Sequence, residues 1–506
     1  MGTYPVKPTV GVDVELSGAG AGWTDISTDV LRDETVTIVR GIRGSSPIDA
    51  VAGAGTASFA VRNDALNSAH VLGYYSLYHA NKRTGWRLGI GCRIRLDGGI
   101  QFVGRIDGVE PAPGIEQRVR VTVVDWMDEA ARWSLTPEVG EQIEKRGDQV
   151  LTAILAAMPS QPTALAFDAG SDVYPVALDT SADTKALEEF GKLAASERAY
   201  IYLRRDGTLR YEGRHARMLA AASVWTLVDT ELQGLTLPST RDEILNTVRT
   251  TTHPRTIDPD PTTIVYNQAN VIEVEPGGPP GKMLMGEFRD PVTGDPIGAT
   301  AIQPLEPYTD YLASRDSPTG DDRTTYMNQS FDLVVGQNGA RFFAWHSHIT
   351  KLFLTKLQLR GRGIYDRGLV HLEAKDTASI ALYGEHAVDF DMPYQADDVV
   401  GQAAADYLLL KFKNPFAQVK TITVLAQTTT LLGQMLARDI SDRITVREAV
   451  TGVNGAFFIN GVDLVVTPSG ELQGTYTLTT AQDPFNGVYW VLDTSTLGTN
   501  TVPAPF

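Results

Sequence analysis

Two stretches decide how this chain is read. They are FVGRIDGVEPAPGIEQRVRVTVVD at 102–125 and FINGVDLVVTPSGELQGTYTLTTA at 458–481. Laid together without gaps, Phe102 falls on Phe458, Ile106 on Val462, Asp107 on Asp463, and Val109 on Val465. Gly114 falls on Gly470 and Gln117 on Gln473. PAPG and TPSG land at the same place, each a turn between two alternating runs. Upstream, CRIRL at 92–96 resembles DRITV at 442–446. The pattern predicts two related β domains, one near each end. Alternation around a Gly turn is common to hairpins, so coincidence stays open beside duplication.

The expectation extends outward from these hairpins. Val10, Val12, Val14 and Leu16 alternate with polar or small residues, the period of a half-buried strand. More strands are expected at Glu34–Arg40, Thr56–Val61, Cys92–Leu96, Ile100–Ile106 and Arg118–Val124, with Asp97-Gly98-Gly99 as a tight turn. After Trp126 the texture becomes helical. Val150, Leu151, Ile154 and Leu155 fall on one helix face, and Leu187, Phe190 and Leu193 on another. YIYLRRDGTLRYEG at 200–213 is a hairpin turning at Asp206-Gly207. Breaker-rich loops then separate strands at Thr263–Val274, Gln329–Val335, Ile349–Arg360, Leu369–Ala374 and Ile380–Phe390. A helix over Asp398–Phe412, stopped by Asn414-Pro415, leads back to strands at Val419–Leu425, Arg443–Glu448, Ala456–Val466 and Leu472–Thr480.

Composition narrows the function. The 506 residues are enough for about three domains. With 44 Lys and Arg against 61 Asp and Glu, the formal net charge is −17, unsuited to a nucleic-acid clamp. Cys92 is the one cysteine, so one chain holds neither a disulfide nor a Cys-based zinc site. No run of 18 apolar residues predicts a membrane span, and the N-terminus lacks a signal-peptide pattern. Synthesis in a cytoplasm without conventional export is expected.

The search for chemistry yields no catalytic, cofactor-binding or nucleic-acid-binding residue. His346 and His348 share one face if 341–352 is a strand. They are the pair that would begin a metal site, although the expectation is no metal and two outward polar residues. The acidic pairs at 258/260, 321/322 and 389/391 lack calcium-loop spacing. No H-E-x-x-H or G-x-S-x-G occurs, and Glu188/Glu189 lie on one helix rather than across a cleft. GAGAG at 18–22 and GGPPGK at 277–282 lack the context of phosphate loops.

GWTDIS at 22–27, FVGRIDGVEP, and VRVTVVDW together resemble the hub and minor tail proteins of long-tailed, siphophage-type bacteriophages. ALEEFGKLAASERAYIYLRRDGTLRYEGR at 186–214 resembles that family's small inserted module. DRITV, FFINGVDLVV and LQGTYTL resemble its closing barrel. The resemblance covers 1–255 and 396–485. It implies a mainly β, multidomain hub: a first tube-like β-barrel domain at 1–130 completed by 223–255, and a small α+β module at 131–222. An inserted β domain follows at 256–395, then a second tube-like barrel at 396–485 and an extended tail at 486–506. It further implies a homotrimer at the distal end of a virion tail, with no enzymatic activity and no cofactor. The implied partners are a distal tail protein or tube ring, a tape measure protein, and a central fibre or spike. DNA would pass only in transit, through a wall whose acidity discourages sticking. Host binding through 256–395 and cell-envelope degradation are the two rival readings.

Overall fold

The computed structural model describes residues 6–481 except 19, 45–47, 136–138, 179–183, 221, 239–243, 328–330, 336–338 and 415–417, and beyond them only 488–489 and 501–502. The expected extended tail at 486–506 therefore lies almost wholly outside the described residues.

One large sheet dominates. Its first six strands are β1 (Val10–Val14), β2 (Val36–Gly41), β3 (Thr56–Arg62), β4 (Gly91–Leu96), β5 (Gly99–Pro111) and β6 (Arg118–Val124). Its last six are β7 (Trp225–Leu227), β8 (Leu232–Thr236), β9 (Thr421–Leu425), β10 (Arg443–Glu448), β11 (Val453–Val466) and β12 (Leu472–Thr480). The first set lies side by side in the order β2-β3-β6-β5-β4-β1, and the second in the order β8-β9-β12-β11-β10-β7. Each strand of the second set thus takes the place of the strand six earlier. One pairing differs in sense: β1 runs antiparallel to β4, whereas β7 runs parallel to β10. The sets join where β2 pairs with β11, from Val36↔Val466 to Gly41↔Gly461.

The fold is mainly β and built of several sheets, as expected. The pairing runs continuously from β8 to β1 and the two-residue strand Thr24–Asp25, and just beyond that strand Val30 bridges Val61 of β3 while the Leu31 N–H bonds the Ala60 carbonyl at 2.9 Å. Residues 225–236, within the stretch expected to complete the first set, supply β7 and β8 of the second. Alternation explains the core. Val119, Val121 and Val123 of β6 are buried while Arg120 and Thr122 face out. Leu472, Tyr476 and Leu478 of β12 are buried on the same principle. Side chains from both sets form one apolar cluster, including Phe59, Phe102, Trp225, Ile444, Phe457 and Leu464.

Two insertions leave this sheet. Between β6 and β7 sits an α+β module with its own core. It contains α1 (Met127–Arg132), α2 (Gly147–Ala157), α3 (Ala186–Glu197) and α4 (Ala216–Leu219), with a sheet in which Thr208–Glu212 is flanked by Tyr200–Leu203 and Ala164–Phe167. Between β8 and β9 the chain builds two further layers. In the first, Thr247–Thr252 lies between Val370–Lys375 and Ala387–Met392, α5 (Asp398–Phe412) packs on this three-stranded sheet, and Ala387–Met392 meets α3 of the module. The strand expected over Ile380–Phe390 begins only at Ala387. Residues Thr377–Tyr383 are helical because the Asp376 carboxylate caps the Ala378 and Ser379 N–H groups. In the second, strands around Leu352–Arg360 enclose a separate core of Val265, Phe288, Phe342, Leu354 and Leu357, and this outer lobe is joined to the rest through the ladder of Arg255–Ile257 with Arg362–Asp366. No helix among the described residues is long and apolar enough to cross a membrane.

Candidate assembly interface

The two halves are equivalent at residue level, although the ungapped overlay above is out by three in the long strands. In β5 the register slips between Ile106 and Gly108, leaving Asp107 bulged. In β11 it slips between Ile459 and Gly461, leaving Asn460 bulged. Ile106-Asp107-Gly108-Val109 therefore matches Ile459-Asn460-Gly461-Val462, and the pairs Phe102/Phe458 and Asp107/Asp463 are not equivalent. Gly108 faces Thr122, and Gly461 faces Thr477. Thr122 faces Ser58, and Thr477 faces Thr421. Ser58 faces Thr37 and Thr421 faces Thr236, with hydroxyl contacts of 2.7 and 3.0 Å. The signal was present in the sequence as IDGV and INGV. An ungapped overlay hides it because the turn that closes each hairpin differs in length, with Val109 facing Val121 and Val462 facing Tyr476.

The bulges have a common use. A bulge turns its extra side chain out of the alternation. Asp107 lies 3.5 Å from Arg132 of α1. The Asn460 side-chain oxygen accepts from Arg217 Nη1 at 2.8 Å. Both bulged residues thus reach guanidinium groups of the α+β module. Arg217 is almost wholly buried, stacked over Tyr200 at 3.6 Å and bonded to Glu212 and Ser441. Arg205 adds bonds to the Leu436 carbonyl and to Asp439, which also holds Arg40 of β2. The module is fastened across the joint between the two halves.

Buried acids lie along the same seam. Burial pushes the Asp125 carboxyl, at the end of β6, up to about 7, against the pull of the Gly55 and Met127 backbone and of Arg40. Burial also raises Asp463 of β11, beside Arg43, and Asp442 before β10. In the module, Glu197 accepts from the Ser171 N–H and the Tyr211 hydroxyl, yet burial still raises its pKa. These groups sit in structural ion-pair and hydrogen-bond networks.

The two candidate metal-site histidines diverge. His346 is fully buried at the end of Gly339–His346, where its Nε2 bonds the Val274 carbonyl at 2.9 Å. His348 lies beyond the strand, edge-on to Tyr326, with Nδ1 3.0 Å from the Thr350 hydroxyl. Among the described residues no three His, Cys, Asp or Glu side chains gather as metal ligands. Both histidines border an open groove of about 640 Å³ with Trp345, Tyr326, Gly277 and Gly278.

The chain is similar in structure to prophage tail proteins. A 43 kDa tail protein of prophage MuSo2 from Shewanella oneidensis aligns over 94% of this chain and 97% of its own, with a TM-score of 0.49 and 8% identity. The tail protein from Neisseria meningitidis MC58 aligns over the same shares, at 0.47 and 12%. Prophage tail protein gp18 from Listeria monocytogenes EGD-e aligns over 93% and 94%, at 0.41 and 7%. No protein-family model and no curated protein sequence matches the chain.

Proposed function

We propose that this protein is a structural hub of a bacteriophage tail tip. It acts as a homotrimer that continues the tail tube and adapts its six-fold symmetry to the three-fold symmetry of the tip. One observation carries the reading: a single chain holds the same six-stranded order twice, side by side in one sheet. Three such chains present six similar units around an axis, which is what a six-fold tube requires of a three-fold object. The chain does no chemistry on a small substrate. It is a rigid adaptor whose lumen passes the tape measure and then DNA, with a distal tail or tube protein above and a fibre or spike below. Light scattering across a concentration series tests this. A mass of three times 54.9 kDa is expected. A stable dimer or tetramer would overturn the three-fold argument.

A second reading concerns the outer lobe. Its separate core and the groove beside Trp345, Tyr326 and His348 suit attachment to a host-envelope glycan, since aromatic faces and convergent polar groups are what sugar rings bind. Removing the lobe should abolish binding to host envelope while leaving the number of copies in the assembly unchanged. Retained binding would remove this reading.

A further inference from the structure

The internal joint has an unfilled counterpart. Inside one chain, β2 of the first half pairs with the second half of β11, beyond the point where β10 stops covering it. By the equivalence of the halves, β8 stands where β2 stands, and Val109–Pro113 stands where Val462–Val466 stands. Among the described residues β8 pairs only with β9, and β5 beyond Ile106, whose N–H and carbonyl still bond Ile90 and Gly89, pairs only with β6. Among the described residues, the same two edges that meet once within the chain thus have no ladder partner at its two ends.

The side chains on these edges are exposed in the same pattern. At the joint, Val36, Ile38, Val462 and Leu464 are 1–3% exposed. Thr37 matches Thr236, so Val36 and Ile38 match Leu235 and Leu237, and Val462 matches Val109. Leu235, Leu237 and Val109 pack against the sheet's core but are only half-buried. Apolar side chains at positions that are sealed in one copy of a repeat and open in the other call for the same cover.

Resting on the three-copy reading above, we infer that β8 of one copy pairs antiparallel with Val109–Pro113 of the next, repeating the β2–β11 joint between chains. The contact is head-to-tail, so each copy offers both edges and the ring closes without self-complementary faces. In the register of the internal joint, Thr236 faces Ala112, as Thr37 faces Val465. Pro111 and Pro113 offer carbonyls but no N–H, so this joint carries fewer backbone bonds than the internal one. It also resists pairing with arbitrary strands before assembly.

The test is the double variant Ala112→Cys/Thr236→Cys. Within one chain six strands separate these positions, and Cys92 is fully buried, so a disulfide at this pair reports contact between copies. On a non-reducing gel, mild oxidation should give two- and three-copy species that collapse on reduction, and neither single variant should give them. Independently, Val109→Asp or Leu237→Asp, at half-exposed positions, should shift the mass from three copies to one with little change in melting temperature. A three-copy mass without the disulfide ladder, and unmoved by either Asp, overturns the edge assignment and leaves the hub reading standing. A mass of one copy across the whole concentration series overturns both.

Discussion

Asp125 ends β6 with its side chain buried, accepting the Met127 N–H at 3.0 Å. Its folded pKa of about 7 lies above the unfolded value, so the native state holds a proton that the unfolded chain releases. The resulting stability is whole below about pH 4 and is lost as pH rises to 7. Asp125→Asn should remove that slope. Urea unfolding at pH 4.5 and 7.5 should show Asn gaining on the parent by on the order of 2–4 kcal/mol at the higher pH. An unchanged difference would mean that Asp125 ionises freely in the fold. Arg217 makes the opposite case. Truncation to Ala strips Glu212 and Asn460 of their buried partner and empties the space over Tyr200. A loss of about 3 kcal/mol is expected from urea midpoints, as for other broken buried pairs.

At the scale of elements, the joint between halves depends on close approach. Gly41 ends β2 at φ +112°, where a β-carbon would run into the Asn460 carbonyl. Only glycine satisfies both demands. Gly41→Ala should cost at least about 2 kcal/mol, read from denaturant unfolding. Leu464→Ala, beside it on β11, should cost about 2–4 kcal/mol because the position is sealed on both sides. The same truncation at Leu237, half-exposed in the single chain, should cost the monomer under half as much. Equal losses at the two positions would count against an open second edge.

At the scale of the molecule, the outer lobe is an independent body on a narrow stalk. Ile257 pairs with Ile364, so the chain leaves and returns at adjacent points of one ladder. Its core shares no residue with that of the large sheet. Replacing 258–363 by Asn-Gly, a two-residue hairpin turn, should leave the main melting transition within about 3 °C. An exposed Arg362–Glu144 pair, the ion pair from the stalk to the module, is worth little. Loss of the main transition would show that the lobe is part of the hub's own fold.

Much of this was legible in sequence, because alternation is local. The long strands, the helix over Asp398–Phe412 and the Asp206-Gly207 hairpin all follow from period and turn chemistry within a few residues. The histidines were legible only as a spacing. A two-residue interval shares a face only while the strand lasts, and this strand ends at His346. Duplication was visible as two similar hairpins, since equal folds demand equal alternation. The true correspondence, IDGV with INGV, was not, because a bulge is defined by the partner strand. Which strands belong to which half was also beyond the sequence: β7 and β8 join β9 to β12 across nearly two hundred intervening residues. Local pattern determines that a segment is a strand and which side is apolar. Only the assembled sheet decides its neighbours, because backbone hydrogen bonds are alike at every residue and the choice among them is made by burial.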